Sequence, residues 1–431
     1  MAPKLNIIIV GGGIAGLSTA ISLRRYGNTV TVLERHSCPQ ALGGPIGLTP
    51  NATRVLIEYG LREVMEKAHV AVEGEINFRR WANGEVLDSM RRDELTEVYG
   101  FPSWSCSRFK VQEILADVAV QRGVKIIFSA QVFGVDLEKP AVFLKHGTSM
   151  EADLVVGADG IRSVIRGAVA GNTEFKTSSP YGSYNIDFPR SLLQSDPEVD
   201  YLTRGDNFWF GPQIVVAINM PDHGDNLNVA FGTVSDDGQE GEWHTHGDLE
   251  KLKDTFADYD PGIIKLLTYA KAEDCYIWRQ SDLPHTDHWV SKSGRVVMIG
   301  DAVHAMLPAV GMGASQGIED SACLAMCLEA AQSIHDLPKV LHAFETIRKP
   351  RAEWMVQRGR EESVGFFLPD GEAQQQRDAY IKNNRLWLPT GWDGSHVDEP
   401  PEGQFNPLSH AYRQAFNIFD YTERRLADLL K

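Results

Sequence analysis

Gly11-Gly12-Gly13-Ile14-Ala15-Gly16 follows a short β-branched run and opens a helix-like stretch. Backbone N–H groups and a helix dipole at such a junction can hold a pyrophosphate, and glycine lets the phosphate come close to the chain. Glu34, with Arg35 after it, ends the next strand-like run, where a carboxylate about 20 residues beyond the glycines can accept hydrogen bonds from ribose hydroxyls. A glycine-rich turn by itself is weak. Strand, turn, helix, strand and acid in this order specify a dinucleotide site, with FAD and NAD both open.

These groups need a scaffold. Residues 5–10 form a continuous β-branched run, as a buried parallel strand does. Residues 15–26 place Leu17, Ala20, Ile21 and Leu23 at helical spacing, and residues 29–33 return to strand chemistry. Between about 180 and 235, Trp209, Phe210, residues 215–218 and residues 229–231 lie among Gly, Asp, Asn and Pro turns, the pattern of an antiparallel sheet. Near residue 295 the α/β pattern resumes, with a strand over 295–299 and a small-residue helix over 314–331.

The resulting fold class is α/β. A discontinuous Rossmann-like domain covers 1–175 and 291–365, an inserted, mainly antiparallel β-sheet substrate domain covers 176–290, and a helical C-terminal tail covers 366–431. Strands near 70–105 are open to assignment to the substrate domain. Leu337, Val340, Leu341, Phe344 and Ile347 mark a further helix that Pro350 is expected to end or kink. The polar tail is assigned no chemistry.

The chain has 431 residues, 43% hydrophobic and 23% charged, enough for a large core without disulfide or metal staples. Its net charge of −16 repels polyanions and argues against nucleic-acid and anionic-membrane partners. No run approaches the roughly 18 apolar residues of a membrane span. The stretch after Lys4 breaks at the glycines and is read as a strand, not a signal peptide. Cys38, Cys106, Cys275, Cys323 and Cys327 are scattered, unlike a secreted disulfide framework. A reducing, cytoplasmic location is expected, with Cys323 and Cys327 packed in the core. His244, His246, His285 and His288 lack convergent carboxylates or thiols, so no metal is expected.

Two later segments bear on the cofactor. Residues 153–166 read DLVVGADGIRSVIR and residues 295–320 read RVVMIGDAVHAMLPAVGMGASQGIED. Together with the glycine turn, Gly157-Ala158-Asp159-Gly160 and Gly300-Asp301-Ala302-Val303-His304 resemble the motifs of the single-component (group A) FAD-dependent aromatic hydroxylases, in particular the salicylate hydroxylase-like branch and its fungal members. The resemblance spans roughly residues 5–365. It implies noncovalent FAD held by Gly11, Gly13, Ile14, Ala15, Gly16, Glu34 and Arg35, with Asp301 on the ribityl chain. Gly311, Met312, Gly313 and Ala314 would open a helix toward the flavin pyrimidine, where a helix N-terminus favours negative charge.

By the same resemblance Pro308 stands beside the reactive flavin edge, and Arg108, Asp159 and Arg166 belong to the cofactor region. Arg108 lies in Ser107-Arg108-Phe109-Lys110-Val111 instead of the family's H-R-x-D-L, and Asp159 equally suits a helix cap. Gly47 lies in the run 43–52, similar to the family's flavin-side loop, where Pro45 departs from the pattern and removes an N–H.

The activity so implied takes electrons from NADPH or NADH and uses O2 to hydroxylate or epoxidise an aromatic or alkenyl small molecule through a flavin C4a-hydroperoxide. A two-electron oxidoreductase resembling geranylgeranyl reductases is the alternative on the same fold. The assembly is a monomer or homodimer. Many members of the salicylate hydroxylase-like branch carry an arginine after a tyrosine early in the middle domain and a histidine after W-x-G-P. Here Tyr184 precedes Asn185, and Trp209-Phe210-Gly211-Pro212 leads into Gln213. Without those groups a substrate carboxylate lacks a matched partner. The expected substrate is a larger, largely neutral aromatic or alkenyl compound of the secondary-metabolite kind, positioned by apolar walls and by hydrogen bonds from Tyr184, Asn185 or Gln213, unless Arg190 or Arg279 supplies a cation.

Overall fold

A computed structural model describes residues 2–39, 44–68, 74–145, 147–171, 179–234, 245–402 and 406–431. Gly43 of the flavin-side loop and His244 lie outside the described residues. Five parallel strands form the first sheet, in the spatial order Val296–Met298, Leu154–Gly157, Asn6–Val10, Thr29–Leu33 and Lys125–Ile127. Ile7, Ile8, Ile9, Val155, Val156, Val296 and Val297 are buried, because a central parallel strand has no solvent face. The Ile14–Arg25 helix leaves the first strand through the glycine turn and packs on the Gly313–Glu329 helix.

The second sheet has eight strands, in the order Thr245–His246, Tyr276–Arg279, Tyr181–Pro189, Asn226–Val234, Ile214–Asn219, Gly205–Gly211, Glu75–Arg80 and Val86–Arg91. Every pairing is antiparallel except that of Gly205–Gly211 with Glu75–Arg80. Side chains alternate across it. Tyr184, Ile186, Trp209, Val216, Ile218, Val229, Phe231 and Ile277 turn to the back face, against Leu252, Phe256, Ile263 and Leu266. Tyr181, Ser183, Asn185, Val215, Ala217, Ala230 and Gly232 therefore occupy the front. The parallel sheet, the antiparallel sheet and the C-terminal helices together make the α/β class expected from the sequence.

Pro350 does not end its helix. The Leu337–Phe366 helix continues through it for 30 residues. A proline removes one N–H and crowds the carbonyl four residues back. Here that penalty is offset by the face on both sides of it, where Phe344, Ile347, Arg348, Arg351, Ala352 and Met355 are all buried. Beyond this helix the chain is part of the sheet's covering: Phe366 stacks on Phe210 at 4.5 Å between ring centroids, and Trp387 meets Phe78 edge-on at 5.2 Å.

Candidate active site

The glycine turn is shaped by contacts that exclude side chains at two positions and leave a third open. Gly11 has φ +109°, and a Cβ there would lie 2.2 Å from the Ala158 carbonyl oxygen. A Cβ on Gly16 would lie 2.1 Å from the Gly11 oxygen, whereas one on Gly13 would meet no atom within 4 Å. Gly13 is the N-cap of the Ile14–Arg25 helix and offers no side chain to its first N–H groups. Those donors, with those of Ile14 and Ala15, are left for a ligand. Glu34 is buried and accepts from the backbone N–H of Gly12 and of His36, each at 2.8 Å. Arg35 is exposed beside it.

Gln112 donates to the Gly12 carbonyl at 2.7 Å, a tie the sequence reading missed. Arg108 stands one turn earlier on the same Arg108–Gln121 helix, exposed and on the side that reaches the glycine turn. The Ser107 hydroxyl caps that helix by accepting from Lys110 N–H at 3.2 Å.

The second motif packs against the first. Gly300 has φ +58°, and a Cβ on it would lie 2.8 Å from Ala15 Cβ, as would one on Gly317. This closeness brings Asp301 to the surface near the glycine turn, where its carboxylate is exposed and has no partner among the described residues. The Gly313–Glu329 helix has no side-chain cap, and Gly311 before it adopts φ +65° with open space at its Cβ position. Thr49 Oγ1 lies 2.7 Å from Ser315 Oγ, and Asn51 donates to Glu319 at 2.6 Å, so the loop bearing Gly47 is fastened to this helix start. Pro308, Gly311 and Gly47 are exposed, and Met312 is buried between Gly311 and the half-buried Gly313 and Ala314.

Asp159 accepts from Ser163 Oγ, Val164 N–H and Ile165 N–H. The carboxylate is thus used at the start of the Val164–Ala170 helix. Burial pushes it above the usual aspartate range despite these donors. Arg166 donates to the carbonyls of Ala302 and Ile161 at 3.0 and 2.8 Å, binding the two later motifs to each other.

Behind this surface lies a buried ionic cluster that the sequence did not signal. Asp320 accepts from Gly300 N–H at 2.9 Å and Arg348 Nε at 2.8 Å, and its Oδ2 lies 2.7 Å from His304 Nε2. Glu319 accepts from Arg348 at 2.7 Å and twice from Arg351 at 2.8 Å. Arg351 also donates to the carbonyls of Tyr412 and Arg413. The cluster joins the Asp301 loop, the Asn51 loop, two helices and the C-terminal segment.

Two expected substrate-positioning residues are elsewhere. Tyr184 is on the back face with Ile186 and Ile277, because consecutive strand residues point to opposite faces and Asn185 takes the front. Gln213 is exposed at the Pro212–Gln213 turn with φ +60°, the left-handed position of a type II turn. Its backbone N–H donates to the Phe367 carbonyl at 3.1 Å, so it anchors the C-terminal segment. Asn185 is buried on the front. A Cβ on Gly44 would lie 3.9 Å from its Oδ1 and 3.5 Å from that of Asn228.

FAD fits the residues present: two uncapped helix starts, open glycine faces at Gly13 and Gly311, and an unpartnered Asp301. Asp301→Ala is expected to weaken FAD binding about 10- to 100-fold, since a hydrogen bond to a charged group is worth roughly 1.5–3 kcal/mol. Because that carboxylate holds nothing among the described residues, the melting temperature of the apoprotein should not move. Titration of apoprotein with FAD and a thermal melt read the two effects; wild-type affinity would refute the role.

Residues 4–359 match the FAD binding domain family. The chain is 31% identical over 384 residues to the FAD-dependent monooxygenase OpS4 of Beauveria bassiana, covering 87% of this chain and 88% of that protein. It is 30% identical over 388 residues to a 3-amino-4-hydroxybenzoate 2-monooxygenase of Streptomyces cremeus, covering 88% and 92%. The crystal structure of CtdE in complex with FAD and substrate superposes with a TM-score of 0.81 at 20% identity, over 99% of this chain and 98% of that one, a likeness of fold. The two sequence relatives are monooxygenases, which favours oxygen insertion over the two-electron alternative. The chain thus belongs to the group A FAD-dependent aromatic hydroxylases, enzymes that spend NAD(P)H and O2 on small molecules.

Proposed function

We propose that this monooxygenase oxygenates a flat, neutral aromatic or alkenyl compound, with the front of the eight-stranded sheet as the substrate's floor. The observation that carries this is where the cations go. Arg279 pairs across from Gly182 on the back face and donates to the Ser179 carbonyl. Arg190 follows the far end of the Tyr181–Pro189 strand, about 30 Å of chain from Tyr181 at roughly 3.3 Å per residue. Arg377 lies against the Phe210 ring but is bonded to Asp378 and to the carbonyls of Gly365 and Phe366. Arg80, opposite Phe210 on this face, is taken by Asp370 and Asp378, so a substrate carboxylate here would lose its hydration without gaining an unpaired counter-ion among the described residues.

FAD would be held by the N–H groups of the glycine turn, by Glu34, Arg108 and Asp301, and by the start of the Gly313–Glu329 helix, and it supplies the electron transfer and oxygen activation when bound. The helix start favours negative charge next to it. Asn185 and Asn228 offer neutral hydrogen bonds toward the Gly44 loop. Tyr181, Leu307, Phe366, Phe367 and Val215 form an apolar wall beside Pro308, which keeps water away.

The test is NADPH oxidation with 18O2 and product mass analysis over paired substrates with and without a carboxylate. Neutral phenols are expected to raise NADPH oxidation over the substrate-free rate and to incorporate one 18O, with salicylate poorly coupled. Tightly coupled turnover of salicylate would overturn the reading.

A further inference from the structure

The front face carries a tyrosine whose hydroxyl bonds no described residue. Tyr181 is 7% exposed, and its ring stacks on Phe367 with centroids 4.7 Å apart and planes at 23°. Leu307, the residue before Pro308, packs in the same cluster. The Tyr181 hydroxyl has no hydrogen-bond partner among the described residues and, unlike that of Tyr259, is not closed off from solvent, so it can meet a ligand on this face.

The ground beside it is low. Ser183, Ala230, Gly232 and Ala217 follow on the front face of three adjacent strands, and only at Asn185 does a longer polar side chain reappear. Tyr181 and Asn185 are four residues apart, about 13 Å at the usual strand rise, the length of two or three fused rings. Gly232 is part of the construction: a Cβ there would lie 2.7 Å from Val215 and 3.3 Å from the tip of Phe367. The Phe367 ring keeps its place against Tyr181 because this position is bare. The Gln213 N–H holds the Phe367 carbonyl from the other side.

Resting on the neutral-substrate reading above, we propose that Tyr181 is a substrate-positioning residue, its hydroxyl bonding a phenolic or carbonyl oxygen of a flat compound lying along Ser183 toward Asn185, while Phe367 fixes the tyrosine ring. One neutral hydrogen bond of this kind is worth about 1 kcal/mol, a factor of roughly 5 in affinity. The C-terminal tail therefore has a part in specificity.

The probes are 2-naphthol and naphthalene, which share a ring system and differ in one hydroxyl, with 3-hydroxy-2-naphthoate as the carboxylated comparison. Binding to the FAD-loaded full chain is read from perturbation of the flavin absorbance, without turnover. The wild type is expected to bind 2-naphthol about 5-fold tighter than naphthalene. Tyr181→Phe, which keeps the stack, should erase that difference with FAD content unchanged, and Tyr184→Phe should preserve it. A preference that survives in Tyr181→Phe, or that vanishes in Tyr184→Phe, would overturn the assignment of Tyr181 alone. Much tighter binding of the carboxylated probe would overturn the neutral-substrate reading while leaving the Tyr181 comparison legible, and failure of 2-naphthol to perturb the flavin would overturn both.

Discussion

Gly13→Ala is expected to melt like the wild-type apoprotein and yet bind FAD at least about 100-fold more weakly, whereas Gly16→Ala should lose stability and FAD together. The two glycines belong to one turn but are bare for different reasons. At Gly13 the backbone is extended, at φ −77° and ψ −178°, so alanine fits without strain, and the added methyl would touch no protein atom. What it would touch is the pyrophosphate, whose approach to the helix start requires that empty volume. Losing two hydrogen bonds to a charged group, at roughly 1.5–3 kcal/mol each, accounts for the loss of affinity. At Gly16 the methyl would sit 2.1 Å from the Gly11 oxygen. The helix must then shift, at a cost of about 1–3 kcal/mol by comparison with other overpacked sites. Apoprotein melts and FAD titrations distinguish the pair. Wild-type FAD affinity in Gly13→Ala would show that the phosphates lie elsewhere.

That contrast also marks what local sequence can and cannot carry. The glycine turn, Glu34 and the Asp301 motif are legible because each works over a few neighbouring residues, and their order along the chain specifies strand, turn and helix. The face of a strand is legible too, in principle. Tyr184 and Asn185 are adjacent, and in an extended strand adjacent residues cannot line one cavity; that alternation would have pointed to Tyr181 and Ser183 as companions of Asn185.

Gln213 was beyond such reasoning, since its left-handed turn and its bond to Phe367 depend on where residue 367 returns. The aromatic wall was partly visible in Phe366-Phe367 and Trp387, but nothing local says which sheet they cover. The ionic cluster left no signal at all. Glu319 and Asp320 meet arginines 28 to 32 positions away on a second helix, and in sequence Arg348 and Arg351 look like solvated charges on a helix broken by Pro350.

Removing Arg348 is expected to destabilise the fold by about 3–5 kcal/mol, the cost of breaking a buried ion pair from one side. Arg348 is fully buried and bonds Asp320, Glu319 and Gln316 together. Arg348→Ala would leave two buried carboxylates with Arg351, His304 and Asn51 as their remaining side-chain partners. Arg348→Met, which fills the volume without the charge, should recover little, because the penalty comes from the stranded carboxylates and not from a cavity. Asp320 and Glu319, both held below the ordinary carboxylate range by the arginines and, for Asp320, by His304, contribute to the pH dependence. Burial alone would push the Asp320 carboxyl up, but His304 and Arg348 outweigh burial and hold it at about 2, below its ordinary 3.8.

A carboxyl depressed by folding stabilises the protein fully above its unfolded pKa, and that contribution fades as pH falls from about 4 toward 2. For a shift of this size it is on the order of 2 kcal/mol. In Arg348→Ala the Asp320 carboxyl should rise, so acid unfolding begins at a higher pH than in the wild type. The Asp320 bond to Gly300 N–H also ties the cluster to the Asp301 loop, so folded Arg348→Ala should hold FAD more weakly as pH falls. Urea melts at neutral and acid pH, with FAD titration of the folded fraction, read all three effects. If Arg348→Ala melted within 1 kcal/mol of the wild type at neutral pH, the two carboxylates would have to be protonated in the fold, and the ionic account of how the cradle is held would fail.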